Sequence, residues 1–531
     1  MRVCFAYVKW AHFCFTGKGG KYMAQINVNN LTFGYEGSFD NIFDNVSFSI
    51  DTDWKLGFIG RNGKGKTTFF KLLLGEYEYS GNISKNTAFD YFPYRITETD
   101  MNKTADELMG SWKVGVESWR VMCELPALGI EAELLYRQFG SLSFGERTKI
   151  MLAVLFSGEN DFLLIDEPTN HLDKESREIV KNYLKRKKGF ILVSHDRDVL
   201  DACIDHVLVL NRSTIEVQAG IFSSWWENKE KADTFAKATN EKHLREIKKL
   251  EAAADRTSRW AKKNENTKIG FDPIKEHDRT ISTRAYIGAK TKKMQNRVKS
   301  YENRIAREIE EKEGLLNDIE EVRNLKLMPL QYHKERLIVA SHCSLRYKDA
   351  KENVFTDIRF EINNGDRVVI NGENGCGKSS LIRAILDMNQ EEKQDIARYE
   401  TTGTLEVPHN LIISYISQDT SMLKGMLKDY AEKLNLNYTL LLSLLRQLDF
   451  DRVQFTKPME NYSEGQKKKV LIASSLLTSA HIYIWDEPLN YIDVFTRMQI
   501  EKLIEVYKPT MLIVEHDVRF KEKIATKIIN M

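Results

Sequence analysis

Two glycine-rich segments have the residue types and spacing that let a backbone wrap around a phosphate group. Residues 60–67 (GRNGKGKT) recur as residues 372–379 (GENGCGKS). Both fit the pattern G-x4-G-K-[ST], whose glycines turn consecutive N–H groups towards an anion. Lys66 and Lys378 are therefore predicted to bind the β- and γ-phosphates of a nucleotide, with the hydroxyls of Thr67 and Ser379 on Mg²⁺.

A pair of acidic residues follows a later apolar run in each half of the chain. Asp166 and Glu167 come after one such run, and Asp486 and Glu487 come after the other. We expect each aspartate to reach the metal ion and each glutamate to face the water that attacks the γ-phosphate. Adjacent residues on a strand point to opposite faces, so the turn beyond the strand must bring both carboxylates to the nucleotide.

Histidines and serines complete the repeated pattern. His195 and His516 each follow a short apolar run, from which they are predicted to hydrogen-bond the γ-phosphate, although a single histidine is more often structural. Ser143 and Ser463 precede helical stretches, where a serine and exposed N–H groups suit an anion. All of these signals recur in the same order at nearly constant spacing, so the chain contains two copies of one unit.

The apolar runs before these residues predict the strands that position them. Continuous apolar runs of this length are typical of strands buried on both faces. Helical stretches separate the runs, so each copy is predicted to be an α/β unit with a largely parallel sheet. The predicted strands span residues 56–59, 162–165, 190–193, 368–370, 482–485 and 511–514.

Length and composition argue against several classes of protein. A chain of 531 residues exceeds what one hydrophobic core usually organises, so at least two domains are expected. No uninterrupted apolar stretch has the length that spans a membrane. The six cysteines are scattered and form no CxxC pair, which fits a reducing cytoplasm better than a disulfide scaffold or a zinc site.

The segment between the two copies carries the basic charge. Residues 229–300 contain 20 Lys and Arg against 10 Asp and Glu, a net charge of +10 in a chain whose formal total is +2. Apolar stripes over 244–254 and 294–309 predict two long antiparallel helices of about 35 residues each, with a tip loop at about 264–290. Basic and aromatic side chains there suit phosphate contacts and base stacking, while a solvated spacer is the alternative. The predicted RNA- or tRNA-contacting residues are Trp260, Lys262, Lys263, Lys268, Phe271, Lys275, Arg279, Arg284 and Tyr286.

Together, these motifs resemble the ATP-binding-cassette ATPases, in which two cassettes meet head to tail. The resemblance implies that one ATP lies between the first phosphate loop and Ser463, and the other between the second loop and Ser143. ATP would then hold the halves together, and hydrolysis would release them. The ATP-binding residues implied are Tyr35 and Tyr347 (stacked on adenine), Gly60, Asn62, Gly63, Gly65, Lys66, Thr67, Thr68, Ser143, Gly145, Gly372, Asn374, Gly375, Gly377, Lys378, Ser379, Ser380, Ser463, Gly465 and Gln466.

One position departs from the family pattern. The family has a metal-binding glutamine between the phosphate loop and the serine equivalent to Ser143 or Ser463, which is called the signature serine. This glutamine is present as Gln418, but its counterpart in the first half is Tyr94. A phenol is a poor neutral metal ligand, so the two sites are predicted to be unequal, with the metal held less directly at the first. The implied metal ligands are Thr67, Asp166, Ser379, Gln418 and Asp486.

Two fused cassettes joined by a long basic hairpin resemble the ABC-F proteins, ribosome-binding ATPases that act in translation. Residues 54–68 and 91–93 and the long linker are most similar to the Lsa-type antibiotic-resistance members. This resemblance implies a cytoplasmic monomer, without an integral membrane partner, that binds the 70S ribosome at the 50S E site and contacts 23S rRNA and P-site tRNA. The linker would displace that tRNA and dislodge lincosamides, pleuromutilins and streptogramin A from the peptidyl-transferase centre. A translation factor that confers no resistance and the ATPase subunit of a transporter are the alternatives.

The sequence divides into four segments on these grounds. Residues 18–23 reverse-translate to a bacterial ribosome-binding site followed by a start codon, so translation is expected to begin at Met23, with a genuine extension as the alternative. The predicted segments are 1–22 (an N-terminal extension), 23–225 (the first ABC ATPase domain), 226–330 (the basic helical linker) and 331–531 (the second ABC ATPase domain).

Overall fold

The computed structural model describes most of both predicted ATPase domains and the first helix of the linker. The described residues are 25–35, 41–84, 87–158, 161–170, 172–211, 214–269, 296, 299–301, 303–305, 307, 327–348, 350, 352–373, 375–389 and 399–531. The predicted extension 1–22, the start at Met23 and Asn374 lie outside them. So do the predicted linker contacts Phe271, Lys275, Arg279, Arg284 and Tyr286, and the side chains of Trp260, Lys262, Lys263 and Lys268.

The chain forms two compact units. One unit combines Met1–Ser223 with Val322–Met531, and the other is Ser224–Glu321. The first unit contains both copies of the repeat, which we call the first and second cassettes.

The first cassette has nine strands and six α-helices among its described residues. Its strands are β1 (Gln25–Phe33), β2 (Phe43–Asp51), β3 (Lys55–Ile59), β4 (Ser80–Ser84), β5 (Ala88–Phe92), β6 (Asp161–Asp166), β7 (Phe190–Val193), β8 (His206–Leu210) and β9 (Ile215–Ala219). Its helices are α1 (Lys66–Leu74), α2 (Ala105–Trp112), α3 (Ser118–Glu124), α4 (Phe144–Leu155), α5 (Lys174–Lys185) and α6 (Arg197–Cys203).

The second cassette repeats this order. Its strands are β10 (Arg336–Tyr347), β11 (Phe355–Asn363), β12 (Arg367–Asn371), β13 (Tyr399–Glu406), β14 (Ile413–Ile416), β15 (Ile482–Asp486), β16 (Met511–Val514) and β17 (Lys527–Asn530). Its helices follow the single long helix α7 (Phe222–Ile269) and are α8 (Lys378–Met388), α9 (Leu427–Lys433), α10 (Tyr438–Gln447), α11 (Glu464–Leu477), α12 (Val494–Tyr507) and α13 (Val518–Ile524).

Strand order brings the sequence motifs to one edge of each main sheet. The order is β5-β6-β7-β3-β8-β9 in the first cassette and β14-β15-β16-β12-β17 in the second. All pairs are parallel except β8 with β9. The strands that precede the phosphate loop, the histidine and the acidic pair are therefore neighbours, and their carboxyl ends meet, where ligands bind in open α/β sheets.

Each cassette also carries a three-stranded antiparallel sheet, and the phosphate-loop helix packs between the two sheets. The orders are β2-β1-β4 and β11-β10-β13. In the first cassette Phe69, Phe70 and Leu73 of α1 are buried against both sheets, and in the second Leu381 and Ile385 of α8 are buried in the same way. This packing fixes the start of each helix, and with it the phosphate loop.

The helical unit differs from its sequence-based description in two respects. The helix α7 has 48 residues rather than about 35 and continues to Ile269, so residues 264–269 are helical and not part of a tip loop. Of the predicted apolar stripes, Ile247 and Ile305 are buried, whereas Leu244 and Tyr301 are 47% and 46% exposed. Only part of each stripe is therefore packed.

Candidate functional site

The phosphate loops need glycine where each one joins its helix. Gly65 and Gly377 immediately precede α1 and α8 and have φ values of 108° and 101°, in the left-handed region that residues with a Cβ rarely adopt. A Cβ at Gly65 would lie 2.5 Å from Ile42, and one at Gly377 would lie 2.6 Å from Val354. Both loops are thus held in the same turn, with helix N-termini directed at the site.

The lysine of each loop lies over the loop itself. Lys66 Nζ donates to the carbonyl oxygen of Gly60 at 2.6 Å, and Lys378 Nζ donates to that of Gly372 at 2.8 Å. Both side chains are buried. An ammonium group in each loop therefore lies at the sheet edge where a phosphate would be bound.

A hydroxyl and a carboxylate meet at each predicted metal site. Thr67 Oγ1 donates to Asp166 Oδ2 at 3.1 Å, and Ser379 Oγ donates to Asp486 Oδ2 at 2.9 Å. Asp486 Oδ1 is buried, and no hydrogen-bond partner for it lies among the described residues. Hard oxygen ligands of this kind, together with phosphate oxygens, fit Mg²⁺.

The two predicted catalytic glutamates have an unusual backbone conformation. Glu167 and Glu487 have φ values of 51° and 47°, left-handed for residues that are not glycine. Each one directly follows its strand, and its N–H donates to the carbonyl of Val193 or Val514 on the neighbouring strand. This turn brings the glutamate to the same edge as the preceding aspartate, and strain of this kind clusters at functional sites.

Each glutamate faces a histidine, but the two pairs differ. His195 Nε2 lies 3.1 Å from Glu167 Oε1, whereas His516 Nε2 lies 3.7 Å from Glu487 Oε1. Burial, followed by the charge of Asp166, raises the pKa of Glu167 to about 8. Burial also acts to raise the pKa of Glu487, but the nearby His516 and Lys378, together with the hydrogen bond from Asn490, hold it below its usual range.

The predicted adenine-stacking tyrosines occupy equivalent positions beside the phosphate loops. The hydroxyl of Tyr35 hydrogen-bonds that of Thr68 at 2.9 Å, and the hydroxyl of Tyr347 hydrogen-bonds that of Ser380 at 2.8 Å. Tyr35 is 44% exposed, so its ring has a face open to a ligand.

Gln418 and its first-cassette counterpart Tyr94 have different surroundings. Gln418 Nε2 donates to Glu487 Oε2 at 2.9 Å, whereas Tyr94 turns away from the first site. Its hydroxyl donates to Asp90 at 2.8 Å, and its ring stacks on Trp112 at 5.5 Å. Tyr91 lies beside the metal site instead, because its hydroxyl donates to Asp166 Oδ2 at 3.2 Å.

The signature serines begin α4 and α11. Ser143 and Ser463 form capping boxes with Glu146 and Gln466, in which each side chain pairs with the other residue's N–H. Gln466 is thereby engaged in fixing the helix start. Gly145 and Gly465 lie in the first turn of these helices, and a Cβ at Gly465 would lie 2.7 Å from the carbonyl oxygen of Tyr491.

The first phosphate loop contacts the second cassette directly. Asn62 Nδ2 donates to the carbonyl oxygen of Tyr491 at 2.7 Å. A Cβ at Gly465 would lie 3.7 Å from the same Asn62 nitrogen, so the signature helix of the second cassette starts beside the first loop. Arg61 and Asp449 add an ion pair of 3.0 Å across the interface. The first site is therefore composite and closed.

The second site is also composite but contains a cavity. Its volume is about 500 Å³, and Lys378, Ser379 and Glu487 of the second cassette line it together with Leu172 and Arg177 of the first. Other lining residues are Tyr347, Val354, Gly375, Gly377, Ser380, Gln418, Asn490 and His516.

Further contacts between the cassettes lie behind the first site. Arg197 on α6 forms a buried bidentate ion pair with Glu501 on α12, with Nη1 to Oε2 at 3.2 Å. Arg519 on α13 pairs with Asp198 and Asp201. Asp198 and Arg519 are equivalent positions of the two copies, so this contact lies on the local two-fold axis between them.

The motif search missed the residues that join the cassettes. Asp449, Tyr491, Arg177, Arg197 and Glu501 belong to no short motif, and Arg61 occupies a variable position of the first phosphate loop. The repeat did contain a signal for two of these residues, because the aligned copies differ in charge there. Arg61 is equivalent to Glu373 in the second copy, and Asp449 is equivalent to Gly129 in the first.

No helix in the described part of the chain is both long enough and apolar enough to cross a bilayer. Comparison with known families finds the family described as ABC transporter twice, over residues 43–170 and 355–490. The chain therefore belongs to the ATP-binding-cassette ATPases, and it is an ATP-binding ATPase. Within that class it is a member of the ABC-F family and resembles the resistance proteins of that family.

Three known proteins illustrate the relationship. The chain is 28% identical to the ribosome protection protein VmlR of Bacillus subtilis, covering 92% of this chain and 84% of that protein. It is 25% identical to the erythromycin resistance ATP-binding protein MsrA of Staphylococcus epidermidis, covering 89% and 91%. The archaeal ribosome recycling factor aABCE1, solved with the stalk protein aP1, has the same fold, with a TM-score of 0.57 at 19% identity over 94% of this chain and 87% of that one.

Proposed function

We propose that this ATPase binds the bacterial ribosome at the 50S E site with ATP in both composite sites, as a cytoplasmic monomer. In that state its linker shifts P-site tRNA and dislodges lincosamides, pleuromutilins and streptogramin A from the peptidyl-transferase centre. The relatives VmlR and MsrA, named for ribosome protection and for erythromycin resistance, support this assignment. The net charge of +10 over residues 229–300 supports a nucleic-acid partner for the linker.

The single observation that carries the proposal is the composite first site. Because Asn62 binds Tyr491 and lies beside Gly465, a nucleotide held by the first phosphate loop would also contact the second cassette. Binding energy for ATP is then available only when the cassettes are closed, and hydrolysis removes it. Nucleotide state thus controls the separation of the segments to which both ends of the linker are joined.

The side chains have distinct proposed roles in hydrolysis. Lys66 and Lys378 neutralise the phosphates, and Glu167 and Glu487 orient the attacking water. His195 and His516 contact the γ-phosphate. Thr67 with Asp166, and Ser379 with Asp486 and Gln418, would hold Mg²⁺, which when bound shields the phosphate charge.

Cosedimentation with 70S ribosomes tests binding. The Glu167→Gln plus Glu487→Gln variant with ATP is expected to sediment with ribosomes, and the same variant with ADP is expected to stay in the supernatant. Glu432→Gln, which removes one exposed charge of the second cassette, serves as the matched surface control. Failure of the ATP-loaded variant to sediment would contradict the proposal and would favour a transporter subunit.

Drug susceptibility tests the finer assignment. Expression in a susceptible bacterium is expected to raise the inhibitory concentrations of lincosamides, pleuromutilins and streptogramin A, while a drug that acts on the small subunit is unaffected. Unchanged susceptibility to all three classes, with ribosome binding intact, would replace drug removal with the role of a translation factor on stalled ribosomes.

A further inference from the structure

An ion pair joins the first phosphate loop to the opposite cassette. Arg61 Nη1 lies 3.0 Å from Asp449 Oδ1, and the two side chains are only 18% and 20% exposed. Arg61 stands between Gly60 and Asn62 of the loop. Asp449 follows α10 in the helical part of the second cassette. Separation of the cassettes at the first site must therefore break this pair.

Asp449 stands where the backbone favours glycine. Its φ is 64°, and its N–H donates to the carbonyl of Arg446. The equivalent residue of the first cassette is Gly129, which has the same φ of 64° and the equivalent hydrogen bond to Pro126. Left-handed residues after a helix are usually glycine, and aspartate is among the few tolerated substitutes. The backbone at this position favours glycine, so the turn itself does not require the carboxylate of Asp449.

The repeat provides an internal control for this pair. At the second site, Glu373 occupies the place of Arg61, and Gly129 occupies the place of Asp449. These two residues have no opposite charges to pair. The ion pair is therefore a property of the first site alone, although both sites are built from the same motifs.

We infer that Arg61 and Asp449 form a latch that slows the opening of the first composite site, so that it releases nucleotide more slowly than the second. Charge-assisted contacts are strong when water is largely excluded. The adjacent hydrogen bond from Asn62 to Tyr491 would form and break with the same movement of the cassettes. The inference concerns the isolated ATPase and does not depend on the ribosome.

Dissociation of a fluorescent ATP analogue tests the latch. The Glu167→Gln plus Glu487→Gln protein is loaded with mant-ATP and chased with excess ATP in a stopped-flow instrument. Two phases are expected, and Lys66→Ala is expected to remove the slow one, whereas Lys378→Ala removes the fast one. Asp449→Asn and Asp449→Gly should each accelerate the slow phase about five- to tenfold and leave the fast phase unchanged.

Further variants separate the latch from a general disturbance. Glu432→Gln is expected to change neither phase. Charge exchange in Arg61→Asp plus Asp449→Arg should restore the slow phase at least in part, and Glu373→Arg plus Gly129→Asp should slow the fast phase. The proposal is overturned if Asp449→Asn and Asp449→Gly leave the slow phase unchanged, or if they accelerate both phases equally. Thermal unfolding of each variant verifies that it is folded.

Discussion

The two composite ATP sites share their motifs but differ in what crosses between the cassettes. At the first site Arg61 and Asn62 bind the second cassette directly, and Arg197 and Glu501 form a buried pair behind it. At the second site a cavity of about 500 Å³ separates the phosphate loop from Leu172 and Arg177. Duplication of the catalytic motifs therefore does not make the sites equal, because the variable loop position Arg61 and residues outside the motifs, such as Asp449, Arg197 and Glu501, differ between the two copies.

The largest effect is expected at the buried pair behind the first site. Glu501→Gln leaves Arg197 buried without its counter-ion, so the free energy of unfolding should fall by about 3–5 kcal/mol, as measured by urea denaturation. In the repeat, Lys181 of the first cassette is equivalent to Glu501, and Val518 of the second cassette is equivalent to Arg197. Lysine and valine cannot form such a pair. Asp357→Asn, which breaks an exposed pair with Arg359, should leave the free energy of unfolding nearly unchanged. Equal losses in the free energy of unfolding would mean that the buried pair stabilises the fold no more than the exposed pair does.

The catalytic glutamates provide the next comparison. Glu487→Gln is expected to reduce ATP hydrolysis about a hundredfold, because Glu487 lines the open cavity and is oriented by Gln418 and Asn490. Glu167→Gln should reduce it less than about fivefold, since Glu167 contacts His195 in the closed site. Steady-state phosphate release measures both. Equal reductions would contradict the inequality of the sites.

The aspartates that cap α12 and α5 provide a smaller, matched comparison. Asp493 accepts from Thr496 N–H and pairs with Lys469, and its side chain is fully buried. Asp173 caps α5 through Ser176 and is half-buried. Asp493→Asn should lower the free energy of unfolding by about 3 kcal/mol, and Asp173→Asn should lower it by less than about 1 kcal/mol, because asparagine also caps a helix N-terminus. An equal loss of unfolding free energy in Asp173→Asn and Asp493→Asn would contradict the expected difference between the half-buried and the fully buried aspartate.

The same aspartate predicts a pH dependence. Burial alone would raise the pKa of Asp493, but Lys469 and the Thr496 N–H outweigh burial and hold the pKa below its usual range. A carboxyl with a lowered pKa stabilises the fold above its unfolded pKa of about 3.9, and that contribution is lost as the pH falls further. Denaturation at pH 6 and pH 3 should therefore show a smaller pH-dependent loss in Asp493→Asn than in the parent. An identical loss would exclude this carboxyl as its source.

The smallest effect is expected at Tyr91. Tyr91→Phe removes one hydrogen bond to Asp166, worth about 1 kcal/mol, so the Mg²⁺ concentration for half-maximal ATP binding at the first site should change by about fivefold or less. Tyr94→Phe should leave that value unchanged, because Tyr94 faces Asp90 and Trp112. An effect of Tyr94→Phe as large as that of Tyr91→Phe would contradict this placement of the two tyrosines.

Local sequence patterns predicted the features that depend on a few adjacent residues. The phosphate loops, the strands that precede the acidic pairs and the division into two α/β units all follow from motifs and apolar runs, and the structure confirms those strands and units. The left-handed turns at Glu167 and Glu487 give a structural basis for the expectation that adjacent carboxylates meet at one edge.

Features that depend on distant residues were not predictable in this way. Tyr94 lies away from the predicted metal site because Trp112 offers its ring a stacking partner and Asp90 offers its hydroxyl an acceptor. Tyr91 therefore lies beside that site. The pair of Arg61 and Asp449 joins positions far apart in the chain, and only comparison of the two copies would have drawn attention to it. The extension of the linker helix to Ile269 overrode the expected loop because no helix-breaking residue precedes Gly270.

The inequality of the two sites is tested most directly by the nucleotides retained during turnover. The parent protein is mixed with ATP, separated rapidly from free nucleotide during the first turnover, and analysed for bound ATP and ADP. We expect about one intact ATP for each ADP, with Asp449→Asn shifting the ratio towards ADP. Conversion of both bound nucleotides to ADP at the same rate would contradict the account.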